Sequence, residues 1–135
     1  MKLTLDSINN INVFENLTGA KVKDCIQDDG ILIFLVFEND MNRAIGKKGS
    51  NVERVRKILK KNVRIIAYTD DVCKFVKNLI YPNKADEIKL EDKVVNIIVS
   101  DTIVKGRIYG RGKENMKKIS SLVKNYFDID EIKVV

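Results

Sequence analysis

The two halves of the sequence share a pattern of glycine, basic and apolar residues, and they align when the first half is shifted by 64 residues. At this offset Gly46 falls on Gly110 and Asn51 falls on Asn115. Each repeat is about 65 residues long, and domains of that size bury only a modest share of their surface. A repeat must be recognised before a fold is assigned. The sequence therefore predicts two small domains, 1–68 and 69–135.

The spacing of apolar residues predicts the same elements in each half: helix, strand, strand, short helix, glycine loop, helix and strand. Residues 31–37 are apolar on both faces of the predicted strand, which favours a central position covered by helices. The helix after the first glycine loop has a predicted buried stripe of Val52, Val55, Ile58 and Leu59. The predicted fold class is α+β.

The first glycine loop, residues 46–49 with the sequence Gly-Lys-Lys-Gly, places two ammonium groups between two glycines. Glycine lets the backbone turn where a Cβ would clash, and it lets a ligand approach closely. The residues that follow fit a capping box, with Ser50 as the N-cap and Glu53 reaching back to it. Positive charge and backbone N–H groups at the start of a helix suit an anion. The loop therefore predicts a phosphate-binding site for single-stranded nucleic acid, with RNA favoured.

The net charge and the residue composition favour some classes of function and argue against others. The formal net charge of +6 favours a polyanionic partner. The chain has no histidine, which argues against a zinc site and removes the commonest general acid–base of enzymes. Its two cysteines, Cys25 and Cys73, lie outside any metal-ligand spacing, and we expect small buried thiols in a reducing compartment. No apolar run suits a membrane span or a signal peptide. We therefore expect a cytoplasmic protein that is not an enzyme and has no cofactor.

A short helix, a glycine–basic–basic–glycine loop and a basic helix, flanked by strands, together resemble a KH domain. Because both hairpin strands precede the loop, the order αββααβ resembles the type II form of that domain. Two such units without a spacer resemble the tandem KH region of the NusA transcription factors, and in particular the stand-alone archaeal NusA-like proteins. The resemblance spans the whole chain and implies an α+β fold of two tandem type II KH domains, each a three-stranded sheet packed on helices.

In KH domains a GXXG loop clamps about four nucleotides of the RNA backbone. The resemblance implies that residues 46–49 form this clamp, and that neighbouring residues line or flank the groove for the bases. The RNA-binding residues implied for the first domain are Arg43, Ile45, Gly46, Lys47, Lys48, Gly49, Ser50, Asn51 and Arg54.

The matching loop of the second half, residues 110–113 with the sequence Gly-Arg-Gly-Lys, departs from this pattern. A lysine stands where the final glycine should be, and Glu114 follows it directly, so the capping box is missing. Lysine can bind phosphate as a point charge, but it lacks the backbone freedom of glycine. We expect a degenerate KH domain whose loop contacts RNA but departs from the standard clamp. The residues implied are Gly110, Arg111, Gly112 and Lys113.

The resemblance implies a monomeric single-stranded RNA-binding protein that acts in transcription elongation, termination or antitermination. Its expected ligand is nascent RNA, and RNA polymerase is a candidate partner. Two alternatives stay open. One is an assembly factor that uses the same clamp on ribosomal RNA. The other is a protein-interaction scaffold whose KH folds do not bind RNA, which the altered second loop and the scarcity of aromatic residues would fit.

Overall fold

The computed structural model describes residues 4–135, which divide into two compact units between Thr69 and Asp70. The first three residues of the predicted first domain lie outside the described residues. Each unit contains a helix, two strands, two helices and a third strand, in that order, and forms its own three-stranded sheet. The predicted α+β class is confirmed.

The first unit begins with a capped helix. Thr4 Oγ1 accepts a hydrogen bond from the Ser7 backbone N–H at 3.1 Å, and the helix ends at Gly19 with φ 75°. This left-handed conformation is the common way to end a helix, and glycine adopts it without strain. The elements of this unit are α1 Leu5–Thr18, β1 Val22–Asp28, β2 Ile31–Phe37, α2 Met41–Ile45, α3 Ser50–Leu59 and β3 Asn62–Tyr68.

Strand β2 lies at the centre of the first sheet, antiparallel to β1 and parallel to β3. Leu32, Phe34, Leu35 and Val36 are each at most 1% exposed. Because successive side chains of a strand point to opposite faces, these residues show that β2 is covered on both sides. Phe34 stacks on Phe14 of α1 with ring centroids 4.3 Å apart. The central position predicted from the apolar run is confirmed.

The second unit repeats this topology. Strand β5 is central, antiparallel to β4 and parallel to β6. Phe75 of α4 is fully buried and contacts Phe127 at 5.7 Å between ring centroids. Each large apolar side chain buried in this way stabilises the fold by roughly 1.5–3 kcal/mol. The elements of this unit are α4 Val72–Ile80, β4 Glu87–Glu91, β5 Val94–Ile98, α5 Thr102–Tyr109, α6 Glu114–Tyr126 and β6 Glu131–Val134.

The prediction that Ile58 of α3 belongs to the buried stripe is wrong. Val55 is fully buried, whereas Ile58 is 57% exposed. At about 100° per residue, Val52 and Leu59 lie on the same side of Val55, about 60° and 40° away, and Ile58 lies about 60° to the other side. The helix therefore buries a narrower stripe than the sequence pattern predicted, and Ile58 faces solvent.

Candidate nucleic-acid interface

The first glycine loop reverses the chain between α2 and α3 at Gly46. This residue has φ 75° and ψ 173°, a conformation that is essentially restricted to glycine. A Cβ atom at this position would lie 2.7 Å from Asn51 Cγ and 2.8 Å from Asn51 N. The Gly46 N–H donates to the Asn42 carbonyl at 2.9 Å and closes α2. Any side chain at position 46 would therefore force α2 and α3 apart.

Two consecutive left-handed residues complete the loop and lead directly into α3. Lys48 has φ 55° and ψ 31°, and Gly49 has φ 76° and ψ 14°. The Gly49 N–H donates to the Gly46 carbonyl at 3.2 Å, which closes the turn. Lys47 and Lys48 are both exposed. The structure thus brings two ammonium-bearing side chains to the surface beside the N-terminus of α3.

The predicted capping box at Ser50 is wrong. Ser50 has φ −61° and ψ −39°, so it is already helical, and Gly49 takes the N-cap position. An N-cap side chain needs a non-helical, typically extended, backbone to reach the N–H groups of the first turn. Glu53 instead forms an exposed ion pair with Arg56. As a result, no side chain caps the N-terminus of α3.

The Asn51 side chain stabilises the loop through a hydrogen bond to the preceding helix. Its Nδ2 donates to the Arg43 carbonyl at 2.7 Å, which ties the first turn of α3 to the last turn of α2. The residue is half-buried, and its backbone and side chain are the atoms that exclude a Cβ at Gly46. This predicted RNA-binding residue is therefore placed to fix the loop conformation, and its amide nitrogen is already engaged.

The other predicted residues of the first unit lie at the surface around the loop. The Arg43 side chain is 70% exposed, with Nη1 3.9 Å from Asp40 Oδ1. Ile45 is 39% exposed at the end of α2, and Ser50 and Arg54 are exposed on α3. The structure therefore brings a basic and partly apolar surface together beside the two lysines.

The second glycine loop has the same backbone conformation as the first. Gly110 has φ 74° and ψ 173°, Gly112 has φ 62° and ψ 23°, and Lys113 has φ 63° and ψ 18°. Lys113 does not change this backbone, because the lysine itself adopts the left-handed conformation. Each loop places one glycine and one lysine at its two left-handed positions, in opposite order. A non-glycine residue there costs about 1–2 kcal/mol, and each loop accepts that cost once.

Asn115 contacts the second loop in the way that Asn51 contacts the first. A Cβ atom at Gly110 would lie 2.6 Å from Asn115 Cβ. The Asn115 Nδ2 donates to the Ile108 carbonyl at 3.0 Å, and the Lys113 N–H donates to the Gly110 carbonyl at 3.1 Å. The same two features, a glycine pressed against an asparagine and an asparagine bonded to the preceding helix, therefore fix both loops.

Helices α3 and α6 lack the side-chain caps that the other helices of eight or more residues have. Thr4, Asp71 and Asp101 cap α1, α4 and α5 through side-chain oxygens. No side chain caps α3 or α6, the two helices that follow the glycine loops. The first N–H groups of a helix have no acceptor within the helix. The Ser50 N–H donates to the Lys47 carbonyl, and the Glu114 N–H donates to the Arg111 carbonyl. The donors that can bind an anion are therefore those further into the first turn, which no side chain caps.

A groove of about 730 Å³ lies between α6 and β6, beside the second loop. Tyr109 and Lys113 line its end, and the Lys113 Nζ lies 5.9 Å from the centre of the Tyr109 ring. The Tyr109 hydroxyl donates to the Val134 carbonyl at 3.1 Å, which fixes the ring between α5 and β6. Lys113 therefore faces a cavity large enough for part of a nucleotide.

Sequence reasoning missed the side chains of α6 that line this groove. Counted from Lys113, they follow the i+4, i+7, i+8 and i+11 pattern of a single helix face, which was the available signal. These residues are Lys117, Ser120, Ser121 and Lys124. They provide positive charge and hydroxyl groups along the groove.

Within residues 4–135, no helix is long and apolar enough to cross a membrane. The same residues contain no group of three or more His, Cys, Asp or Glu side chains that could hold a metal ion.

Comparison with known families agrees with the geometry of the first loop and its flanking elements. A family model described as KH domain matches residues 10–78, from within α1 through the first glycine loop and into α4. The chain belongs to the KH domain family. The resemblance to a KH domain that the sequence predicted is thereby confirmed.

This KH protein is also similar to two proteins named "Probable transcription termination protein NusA". The relative from Methanocaldococcus jannaschii is 31% identical over 138 residues, covering 100% of this chain and 75% of its own length. The relative from Methanococcus vannielii is 37% identical over 111 residues, covering 82% of this chain and 61% of its own length. A similar solved structure is the crystal structure of APE1850, with a TM-score of 0.76 and 31% sequence identity. The match covers 98% of this chain and 100% of that chain. The predicted archaeal NusA-like family is confirmed by these relatives.

Proposed function

We propose that the chain consists of two tandem type II KH domains, 1–68 and 69–135, which bind single-stranded RNA through both glycine loops. The family match, which ends at residue 78, supports the first domain. The shared order of elements supports the second. The observation on which the proposal rests most is that both loops have the same backbone and lead into helices without side-chain caps.

Each loop attracts the RNA backbone with two cationic side chains and the N–H groups of a helix. Lys47 and Lys48 serve the first loop, and Arg111 and Lys113 serve the second. The N–H donors of the first turns of α3 and α6 that are not bonded within the loops bind phosphate oxygens, as helix N-termini commonly do. Gly46 and Gly110 keep the flanking helices of their own units close, so that the donors and charges of each loop lie together.

The bases lie beside the loops, and the two domains contact them differently. In the first domain Arg43, Ile45, Ser50 and Arg54 are exposed around the clamp, while Asn51 fixes its shape. In the second domain Lys113 faces the α6–β6 groove, where the first loop has Gly49. The lysine that replaces the last glycine of the motif therefore adds a cation to the edge of the second base-binding groove.

The biological role we propose is in transcription. The names of the relatives support termination, and we extend the role to elongation and antitermination, with nascent RNA as the ligand. The protein acts as a cytoplasmic monomer without catalytic activity, and RNA polymerase is its proposed protein partner.

Fluorescence anisotropy with labelled single-stranded RNA, single-stranded DNA of the same sequence, and duplex RNA tests this function. The wild-type protein is expected to prefer single-stranded RNA. The double variant Lys47→Asp and Lys48→Asp is expected to keep its circular dichroism spectrum, because both side chains are exposed, and to bind this RNA more weakly.

Equal affinity for duplex and single-stranded RNA would contradict a clamp for single strands. Binding to none of the three nucleic acids would overturn the proposed function and favour a protein-interaction scaffold. Unchanged affinity in the folded double variant would move the site away from the first loop.

A further inference from the structure

The second unit has another concave surface, which shares no lining residue with the α6–β6 groove. It lies between the exposed face of α4 and the segment that leads into β4, and its volume is about 580 Å³. We call it the α4–β4 pocket. The lining residues used below are Cys73, Lys74, Lys77, Tyr81 and Lys84.

The uncompensated charge at this pocket is positive. Lys74, Lys77 and Lys84 are exposed, and in the described part of the chain none of them takes part in an ion pair. The two carboxylates that line the pocket keep their negative charge, but the three lysines outnumber them. Asp86 Oδ2 accepts from the Ser100 backbone N–H at 2.9 Å, and Glu87 Oε2 lies 3.7 Å from Lys89 Nζ. Hydrogen bonds from the Ser100 hydroxyl and N–H also lower the pKa of Asp86.

Tyr81 provides the pocket with an aromatic surface. It is 68% exposed, more than any other Phe or Tyr of the chain; the next is Phe37 at 39%. Its position is defined by the turn that follows α4, in which the Asn83 N–H donates to the Ile80 carbonyl at 2.9 Å. An exposed aromatic ring beside several unpaired cations is the combination that binds single-stranded nucleic acid, with bases on the ring and phosphates on the cations.

The corresponding helix of the first unit does not have this character. Helix α1 contains four asparagines and no lysine or arginine, whereas α4 contains Lys74 and Lys77 on its exposed face. The basic surface is therefore not required to build this helix of the fold. Between these two helices, only α4 has it.

We propose that the α4–β4 pocket is an additional single-stranded RNA contact, in which a base stacks on Tyr81 and adjacent phosphates bind Lys74, Lys77 and Lys84. The inference rests on the proposed function, because it concerns the same ligand. It extends the RNA-binding surface of the second domain to residues outside the glycine loop and its groove.

Cys73 lines the pocket and provides a direct reporter of its occupancy. The full-length protein is treated with N-ethylmaleimide at pH 8.5, with and without a single-stranded uridine 20-mer at ten times its Kd. Mass action leaves about one-tenth of the protein free, so modification of Cys73 should slow about tenfold. Cys25 is an internal control, because it is only 4% exposed and burial, with the nearby Asp24 charge, raises its pKa to about 11.

Two pairs of variants identify the contacts. Tyr81→Ala should weaken RNA binding about fivefold or more, whereas Tyr81→Phe should retain it, because stacking needs only the ring. Lys77→Glu should lower the log–log salt slope by about 0.7, the contribution of one phosphate on a single strand, whereas Lys77→Arg should not. At saturating RNA, Tyr81→Ala should also leave Cys73 unprotected.

The outcomes separate this inference from the proposed function. RNA binding that depends on Lys47 and Lys48, with Cys73 unprotected and with Tyr81→Ala and Lys77→Glu unchanged, would overturn the inference alone. The pocket would then be assigned to an acidic protein partner. A wild-type protein that binds no RNA would overturn both.

Discussion

The two glycine loops differ in sequence and share a backbone conformation. Residues 46–49 read Gly-Lys-Lys-Gly, and residues 110–113 read Gly-Arg-Gly-Lys. Both begin with a glycine near φ 75° and ψ 173° and end with two left-handed residues. The first glycine of each loop is therefore the position that steric contact with the following asparagine fixes. The last two positions need a left-handed backbone, which glycine and lysine provide in either order.

The surfaces next to the loops differ more than the loops do. On α3, Arg56 pairs with Glu53, and its Nη2 donates to the Val63 carbonyl of β3 at 3.1 Å. On α6, Ser120 stands at the position that matches Arg56 and lines the α6–β6 groove. A guanidinium bonded to the strand in one unit is therefore replaced by a small hydroxyl in the other. We infer that the phosphate-binding loops are alike and that the surfaces for the bases are not.

The largest effect is expected at the first glycine of either loop. Gly46→Ala should destabilise the first unit by about 3 kcal/mol, because the backbone conformation is nearly exclusive to glycine and the new Cβ strikes Asn51. Gly110→Ala should do the same in the second unit. Urea unfolding followed by NMR, which reports each unit separately, measures both.

Gly49→Ala is the matched control for Gly46→Ala. A Cβ atom at Gly49 has no neighbour within 4 Å, so only the left-handed backbone is strained. The expected cost is about 1–2 kcal/mol. If Gly46→Ala cost no more than Gly49→Ala, the close approach of α2 and α3 would not be what requires the first glycine.

Charge reversal should affect the two loops equally. Each phosphate contact contributes about 0.7 to the log–log salt slope, so two contacts contribute about 1.4. Between 1 M and 0.1 M salt this slope corresponds to about 25-fold in affinity, which is the loss expected at 0.1 M salt when both contacts are removed. This is the loss expected for Arg111→Asp with Lys113→Asp and, separately, for Lys47→Asp with Lys48→Asp. Titration of one single-stranded RNA at fixed salt compares them. An unchanged affinity in the folded second-loop variant would show that shared backbone geometry is insufficient for binding.

A smaller effect is expected at the two supporting asparagines. Asn51→Ala and Asn115→Ala each remove one hydrogen bond to the preceding helix, with an expected loss of about 1 kcal/mol. The same unfolding measurement applies, with Asn12→Ala on the exposed surface of α1 as the control. Equal stability in all three variants would contradict a supporting role for these amides.

The smallest effect is expected when the last two loop residues are exchanged. Lys48→Gly with Gly49→Lys gives the first loop the order of the second, and Gly112→Lys with Lys113→Gly does the reverse. Both exchanges should change unfolding free energy by no more than about 0.5 kcal/mol, the usual range for surface substitutions. A loss well above that in either would show that the two left-handed positions are not equivalent.

The elements and the position of the first loop could be predicted because they depend on apolar spacing and on glycine. The run from Ile31 to Phe37 indicated the central strand directly. The capping box could not be judged, since Ser50 matches the motif in sequence and fails it only because Gly49 takes the N-cap position. The backbone conformation of Lys113 could not be predicted for a similar reason. Whether a lysine can be left-handed depends on the surrounding turn, which the sequence does not display.

The groove of the second unit could not be predicted, because the fold brings its two sides, α6 and β6, together. Lys117 and Lys124 are on one face of α6, but only the structure shows that β6 lies opposite them. Pairings between distant segments of this kind arise from the topology of the sheet. They cannot be obtained from spacing within a helix.

The salt dependence of single-stranded RNA binding tests the central claim most directly, namely that both loops clamp the RNA backbone. Four cationic contacts, at Lys47, Lys48, Arg111 and Lys113, predict a log–log slope of about −2.8 from these residues. The account predicts that charge reversal in either loop reduces the magnitude of the measured slope by about 1.4. A slope that changes only with the first loop would contradict the claim that the second loop is a working clamp.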